Sequence, residues 1–141
     1  MTETSLIYPM LALVLLTFGV AVVLFRARVR SVREGHTPVS YFRTFQGSQE
    51  PKFLAKPTRH FVNLFEVPTL FYAGCLAAMV VGVTDPLMVG LAWGYVAARL
   101  AHAVIHIRGN RVRHRLAAYS ASWLFLLALW LVLGVSVALR R

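Results

Sequence analysis

Four long apolar runs, separated by short polar or basic stretches, set the pattern of this chain. The first, Ile7 to Phe25, carries no charge and spans about 28 Å as a helix, enough to cross the hydrocarbon of a bilayer. The others run over about 59–83, 87–107 and 116–139. Between the first two lies a basic segment, Arg26 to Lys56, broken by Gly35, Pro38, Gly47 and Pro51. It reads as a long loop with helix tails, laid on the bilayer surface or packed under the bundle through Tyr41, Phe42, Phe45 and Phe53. Pro68 lacks a backbone donor and predicts a kink in the second span near Glu66. Thr84-Asp85-Pro86 forms a tight turn that makes the third span the antiparallel neighbour of the second. Small residues recur every fourth position on both sides of it, at Gly74, Ala78 and Gly82 and at Gly90, Gly94 and Ala98. Such ladders let helices approach closely, so these two spans are expected to pack as a tight hairpin. The fold expected is all-α, an integral membrane four-helix bundle formed by a single domain over 1–141.

Composition sharpens this picture. A hydrophobic content of 58% and a mean hydropathy of +0.65 are too high for a water-soluble domain of 141 residues. The net charge of +10 would suggest nucleic acid in a soluble protein, but the basic residues sit at the ends of apolar runs. No nucleic-acid partner is therefore expected; the partner is the lipid bilayer. Cys75 is the single cysteine, which rules out a disulfide framework. The residues before Ile7 include Glu3 and no Lys or Arg, unlike a cleaved signal peptide, so the first span is expected to be retained. Of the 15 Lys and Arg, all but Arg99, Arg140 and Arg141 fall in 26–59 and 108–115. The positive-inside rule then puts both connections in the cytoplasm and both termini on the far side. A multi-pass protein of the bacterial inner membrane is the expectation.

Chemistry enters through two polar stripes. Arg59, Asn63 and Glu66 stand at i, i+4 and i+7, which is one face of a helix. A carboxylate that deep in a membrane-length helix is costly unless it faces protein, a partner charge or water. On the third span, Arg99, His102, His106, Asn110 and Arg113 share one face if the helix continues past Gly109. Glu66 and Arg99 lie at depths that agree within about 3 Å, which allows them to pair within or between subunits. The chamber so formed would hold Arg59, Asn63, Glu66, Arg99, His102 and His106, with loop arginines at its mouth. Its donors suit carboxylates, its carboxylate suits an ammonium and its amide suits a peptide group. A small anionic, zwitterionic peptide meets all three.

Arg59-x3-Asn63-x2-Glu66 followed by Pro68, together with Arg99-x2-His102 on the third of four spans, resembles the MAPEG family. These are the membrane-associated proteins of eicosanoid and glutathione metabolism. The resemblance implies a left-handed four-helix bundle assembled as a homotrimer, with glutathione bound as co-substrate between subunits near the cytoplasmic face. It implies that Arg59, Asn63, Glu66 and Arg99 hold glutathione, with His102 and His106 lining the same chamber. Arg113 and Arg115 are both candidates for the catalytic arginine beside the thiol, where a cation raises the thiolate fraction. Arg28 or Arg30 corresponds to a family arginine after the first span, and Arg30 is carried as a binding candidate. The second substrate implied is a hydrophobic electrophile or a peroxide.

This chain departs from the family pattern at three places. Val67 and His106 stand where tyrosine is frequent, and Pro68 follows Glu66 by two residues instead of three. Because the family includes a non-catalytic accessory member, two functions stay open: a glutathione transferase or peroxidase, and a membrane accessory or structural protein. A metal held by His102, His106 and Glu66 is a further alternative, but buried histidines are more often structural, and no metal is expected.

Overall fold

An uncharged run rich in Leu, Val and Ala allows the first helix to form, and its arginine-rich tail does not stop it. In the computed structural model, which describes residues 3–45, 51–109 and 112–140, a single turn of 3-10 helix over Glu3–Leu6 leads into α1, Ile7–Arg33. The chain turns at Gly35, where φ is +71°. It then forms the one-turn α2, Tyr41–Thr44, ending at Phe45 in the left-handed region. The second long helix, α3, covers Lys52–Val80 and runs through both Pro57 and Pro68. Next come α4, Pro86–Val104, a π-helical turn over Ile105–Gly109, and α5, Val112–Ala138.

Four of these helices are long and apolar enough to cross a membrane: α1, α3, α4 with its first continuation to Ile107, and α5. Their outer faces carry exposed Leu15, Phe18, Leu124 and Leu131, as lipid-facing surfaces do. The all-helical, four-span architecture expected from the sequence is present. Its boundaries differ. The segment 26–56 is far less of a loop than its glycines and prolines predict. Helix α1 takes in Arg26, Arg28, Arg30 and Arg33, and α3 starts before Arg59 with Pro51 as its N-cap. Pro57 falls in the second turn of α3, where it removes one i→i−4 bond, yet the helix runs through it. Gly47 and Glu50 lie outside the described residues.

The turn between α3 and α4 follows its sequence closely. Gly82 takes φ +69°, and Val83 N–H donates to Ala78 O at 2.8 Å, closing α3 in a Schellman-type cap. Asp85 Oδ1 accepts from the N–H groups of Leu87 at 2.9 Å and Met88 at 3.1 Å, and Pro86 occupies the first turn of α4. At the far end of α5, the Arg140 guanidinium donates to the carbonyls of Val81 and Gly82. It thereby satisfies acceptors that the end of α3 would otherwise leave open.

The expected tight hairpin between α3 and α4 is not what the small residues build. Packing is closest between α4 and α5 and between α1 and α3. A Cβ on Gly74 would come within 2.8 Å of Leu129 Cδ2, and one on Gly94 within 2.4 Å of Phe125 Cε1. Both ladders therefore accommodate side chains of α5. Gly90 meets nothing within 4 Å inside the chain. A small-residue ladder states that something approaches closely; it does not state which helix. The core between the helices holds Leu13, Phe71, Cys75, Met88, Ala92, Tyr95 and Leu129, with the Phe71 and Tyr95 rings stacked at 4.5 Å.

Candidate functional site

The polar residues converge at the end of the bundle where α3 begins, α4 ends and α5 begins. On α3, Lys56, Arg59 and Asn63 follow one another at i, i+3 and i+7, which gives a polar stripe down the first turns. His60 lies between them on the buried side and is 0% exposed. From α4 come Arg99 and His102, one turn apart and both buried. His106 follows on the π-helical turn, a distortion that recurs at functional sites, and it too meets α3. From α5 come Arg115 and Tyr119.

Together these elements enclose a cavity of about 400 Å³ lined by Ala55, Lys56, Arg59, Asn63, His102, His106, Val112, Arg115, Leu116 and Tyr119. Its wall contains three cationic side chains and no carboxylate. The charge favours an anion.

Arg99 sits behind this wall. It is 0% exposed, and its Nη2 donates to both the Asn63 carbonyl at 3.1 Å and Asn63 Oδ1 at 2.6 Å. Its guanidinium carbon stands 5.9 Å from the centre of the Tyr119 ring. Arg99 Nε and Nη1 are buried without a hydrogen-bond partner. Asn63 is thus fixed by Arg99 and presented to the cavity. The histidines form a second cluster: His60 Nδ1 and His106 Nδ1 are 3.2 Å apart, and the His60 and His102 rings stack at 5.3 Å. His102 Nδ1 bonds to the main-chain carbonyl of Arg115 at 3.2 Å.

Several of the residues expected from the sequence assemble here, and several do not. Arg59, Asn63, His102, His106 and Arg115 line the cavity, and Arg99 supports it. Glu66 does not pair with Arg99. The ion pairs among the described residues are Arg30 and His36 with Glu34, and Glu66 is an exposed residue outside the cavity wall. Asn63, one turn nearer the helix start, takes Arg99 instead. Arg30 is bonded through Nε to Glu34 Oε1 at 2.8 Å and stacks over Phe53, so the chain's own fold leaves it outside the cavity. Arg113 is exposed and also outside the wall, because the π-helical turn ends the register that placed it on the face of Arg99. Asn110, the fourth member of that face, lies outside the described residues. The metal alternative changes composition too, since His60 joins His102 and His106 in place of Glu66.

Sequence reasoning missed Lys56, His60 and Tyr119. A signal existed for the first two: His60 is at i+4 from Lys56 and i−3 from Asn63, so one stripe carries all three. Nothing in the order of residues along the chain brings Tyr119 to Arg99. No curated protein and no solved structure gives a significant match to the chain. Residues 6–135 match the model of the MAPEG family, and the chain, with its four membrane-length helices, is a multi-pass membrane protein belonging to that family.

Proposed function

We propose that this protein is a membrane-integral glutathione transferase or peroxidase of the MAPEG kind. It works as a homotrimer in the bacterial inner membrane and binds glutathione between subunits near the cytoplasmic face. The observation that carries the reading is the cationic cavity at the basic end of the bundle, in which Asn63 is held by a buried Arg99. Arg59 and Lys56 supply donors for the carboxylates of a small anionic peptide, and Asn63 supplies an amide for its backbone. Glu66, exposed on the surface of one chain, is left to meet the ligand's ammonium across a subunit boundary. Of the two arginines considered for the thiol, Arg115 is the one that lines the cavity. A cation beside a thiol stabilises the thiolate. The thiolate sulfur then forms a bond to an electrophilic carbon, the leaving group departs with the electron pair, and the thiol proton goes to water. An apolar groove of about 450 Å³ between α1 and α3, lined by Val14, Phe18, Leu64, Phe65 and Tyr72 among others, suits a hydrophobic electrophile or organic peroxide arriving from the lipid.

A thermal-unfolding titration of the detergent-solubilised protein with reduced glutathione tests this. Unfolding shifts upward with concentration, corresponding to about 2.7 kcal/mol at a hundredfold excess over Kd, and Arg59→Ala weakens the shift. Conjugation of a generic electrophile falls by about tenfold or more in Arg115→Ala, as expected where one unit of thiol pKa is lost. A melting curve unmoved by millimolar glutathione, with no conjugate formed, overturns the proposal.

The second reading, a non-catalytic accessory or structural membrane protein, draws on the positions of Glu66, Arg30 and Arg113 outside the cavity of the single chain. A glutathione-dependent shift without turnover would select it. Orientation is tested separately. Cys75 is the only cysteine and is buried, so introduced cysteines report selectively. An impermeant maleimide added from outside labels Leu139→Cys and spares Val39→Cys, both at exposed positions. The reverse pattern would invert the proposed topology.

A further inference from the structure

We infer that His60, His102 and His106 form a three-histidine site for one transition-metal ion of the zinc class. One ring nitrogen from each lies within 4.8 Å of the other two. The three come from α3, α4 and the π-helical turn, so the fold, and not a local sequence motif, assembles them.

The bonding around His102 is that of a metal ligand. A carbonyl oxygen only accepts, so the 3.2 Å contact with Arg115 O fixes the proton of His102 on Nδ1. Its Nε2 is left as a bare lone pair. A ring N–H held by a main-chain carbonyl is the usual support of a histidine that coordinates a metal through its other nitrogen. His60 Nδ1 and His106 Nδ1 face each other at 3.2 Å, and only one proton fits between them. Two nitrogens on one tetrahedral zinc, each bonded at about 2.0 Å, stand about 3.3 Å apart, so an ion can replace that proton with little movement. Bringing the third ring in requires a shift of up to about 1.5 Å.

Access and charge define the ion and its fourth ligand. His102 and His106 line the 400 Å³ cavity, which gives an entry path and leaves one coordination position open to it. Three neutral nitrogen donors suit zinc, cobalt, nickel or copper rather than magnesium or calcium, which take oxygen. Lys56, Arg59 and Arg115 share the cavity and oppose a bare dication. The ion is therefore held with an anion, such as hydroxide or chloride, in the open position. The site does not depend on thiol chemistry and is tested without it.

Protein carrying no affinity tag, stripped with a chelator in detergent, is titrated with Zn²⁺ against a chromophoric chelator, and with Co²⁺ followed by its visible absorption. Uptake approaches one ion per chain, and cobalt gives the intense bands of a tetrahedral nitrogen site. His60→Asn and His106→Gln each weaken zinc binding by at least about tenfold. His114→Asn, an exposed histidine outside the cluster, leaves it unchanged. Each variant is first shown to match the wild type in size and helicity; His106, half-buried on a turn, serves where a core substitution disrupts folding. Uptake below about a tenth of an ion per chain, or equal affinity in the wild type and the folded histidine variant, overturns the site.

Discussion

Asn63→Leu will destabilise the folded protein by about 2–3 kcal/mol, and adding Arg99→Met will restore at least half of that loss. Arg99 is a guanidinium with no exposed surface, and Asn63 Oδ1 at 2.6 Å is its shortest acceptor. Leucine removes that acceptor and leaves the Asn63 main-chain carbonyl, at 3.1 Å, to satisfy the whole cation. Two further nitrogens of Arg99 already lack partners, so there is little reserve. Replacing the arginine as well removes the buried charge together with its need, and two apolar side chains then fill the space. Thermal unfolding of the two single variants and the double variant measures the coupling. Strictly additive losses would show that the contact carries no such dependence. Glu66→Gln is not rescued by Arg99→Met, since the two residues form no ion pair in the chain.

Gly94→Val will cost about 2–3 kcal/mol, while Gly90→Ala stays within about 0.5 kcal/mol of the wild type. Both glycines belong to the same ladder on α4. At Gly94 a Cβ lands 2.4 Å from Phe125 Cε1 and 2.6 Å from Cδ1, far inside contact distance, so a ring of α5 must move. Valine adds two methyl groups to that clash and restricts itself further by branching. At Gly90 a Cβ meets nothing within 4 Å of the same chain, and alanine adds helix propensity. Phe125→Ala in the Gly94→Val background opens the space and recovers part of the loss. Denaturant or thermal unfolding in detergent checks all four proteins. An equal response at both glycines would mean that the closest approach of α5 lies elsewhere.

These two pairs also mark where reading the chain stopped being enough. The runs Ile7–Phe25 and Leu116–Leu139 read as membrane-length helices, because neither carries a charge and their one proline, Pro9, falls where a first helical turn tolerates it. The turn at Thr84-Asp85-Pro86 was equally legible, since the Asp85 cap and the proline at the first turn are local chemistry. Local signals also misled. The glycines and prolines of 26–56 suggested a loop, but α1 extends into the segment from one end and α3 from the other.

Arg59, Asn63, Arg99, His102 and His106 could be chosen from the sequence because polar groups at helical spacing inside apolar runs demand partners. Which partner each took was decided by tertiary structure. Arg99 met Asn63 and not Glu66, one turn further along, because the axial register of two helices is set only by their packing. His106 met His60 of α3, a partner that spacing along the third span could not name. Arg115, and not Arg113, reached the cavity because both stand on α5, and packing of that helix decides which face it presents. The chain by itself determined four spans, their polar ends and the residue types that gather there, because burial and hydrogen bonding inside a bilayer act on each segment alone. Pairing across helices depends on register, rotation and the neighbour present, and those exist only once the bundle has packed.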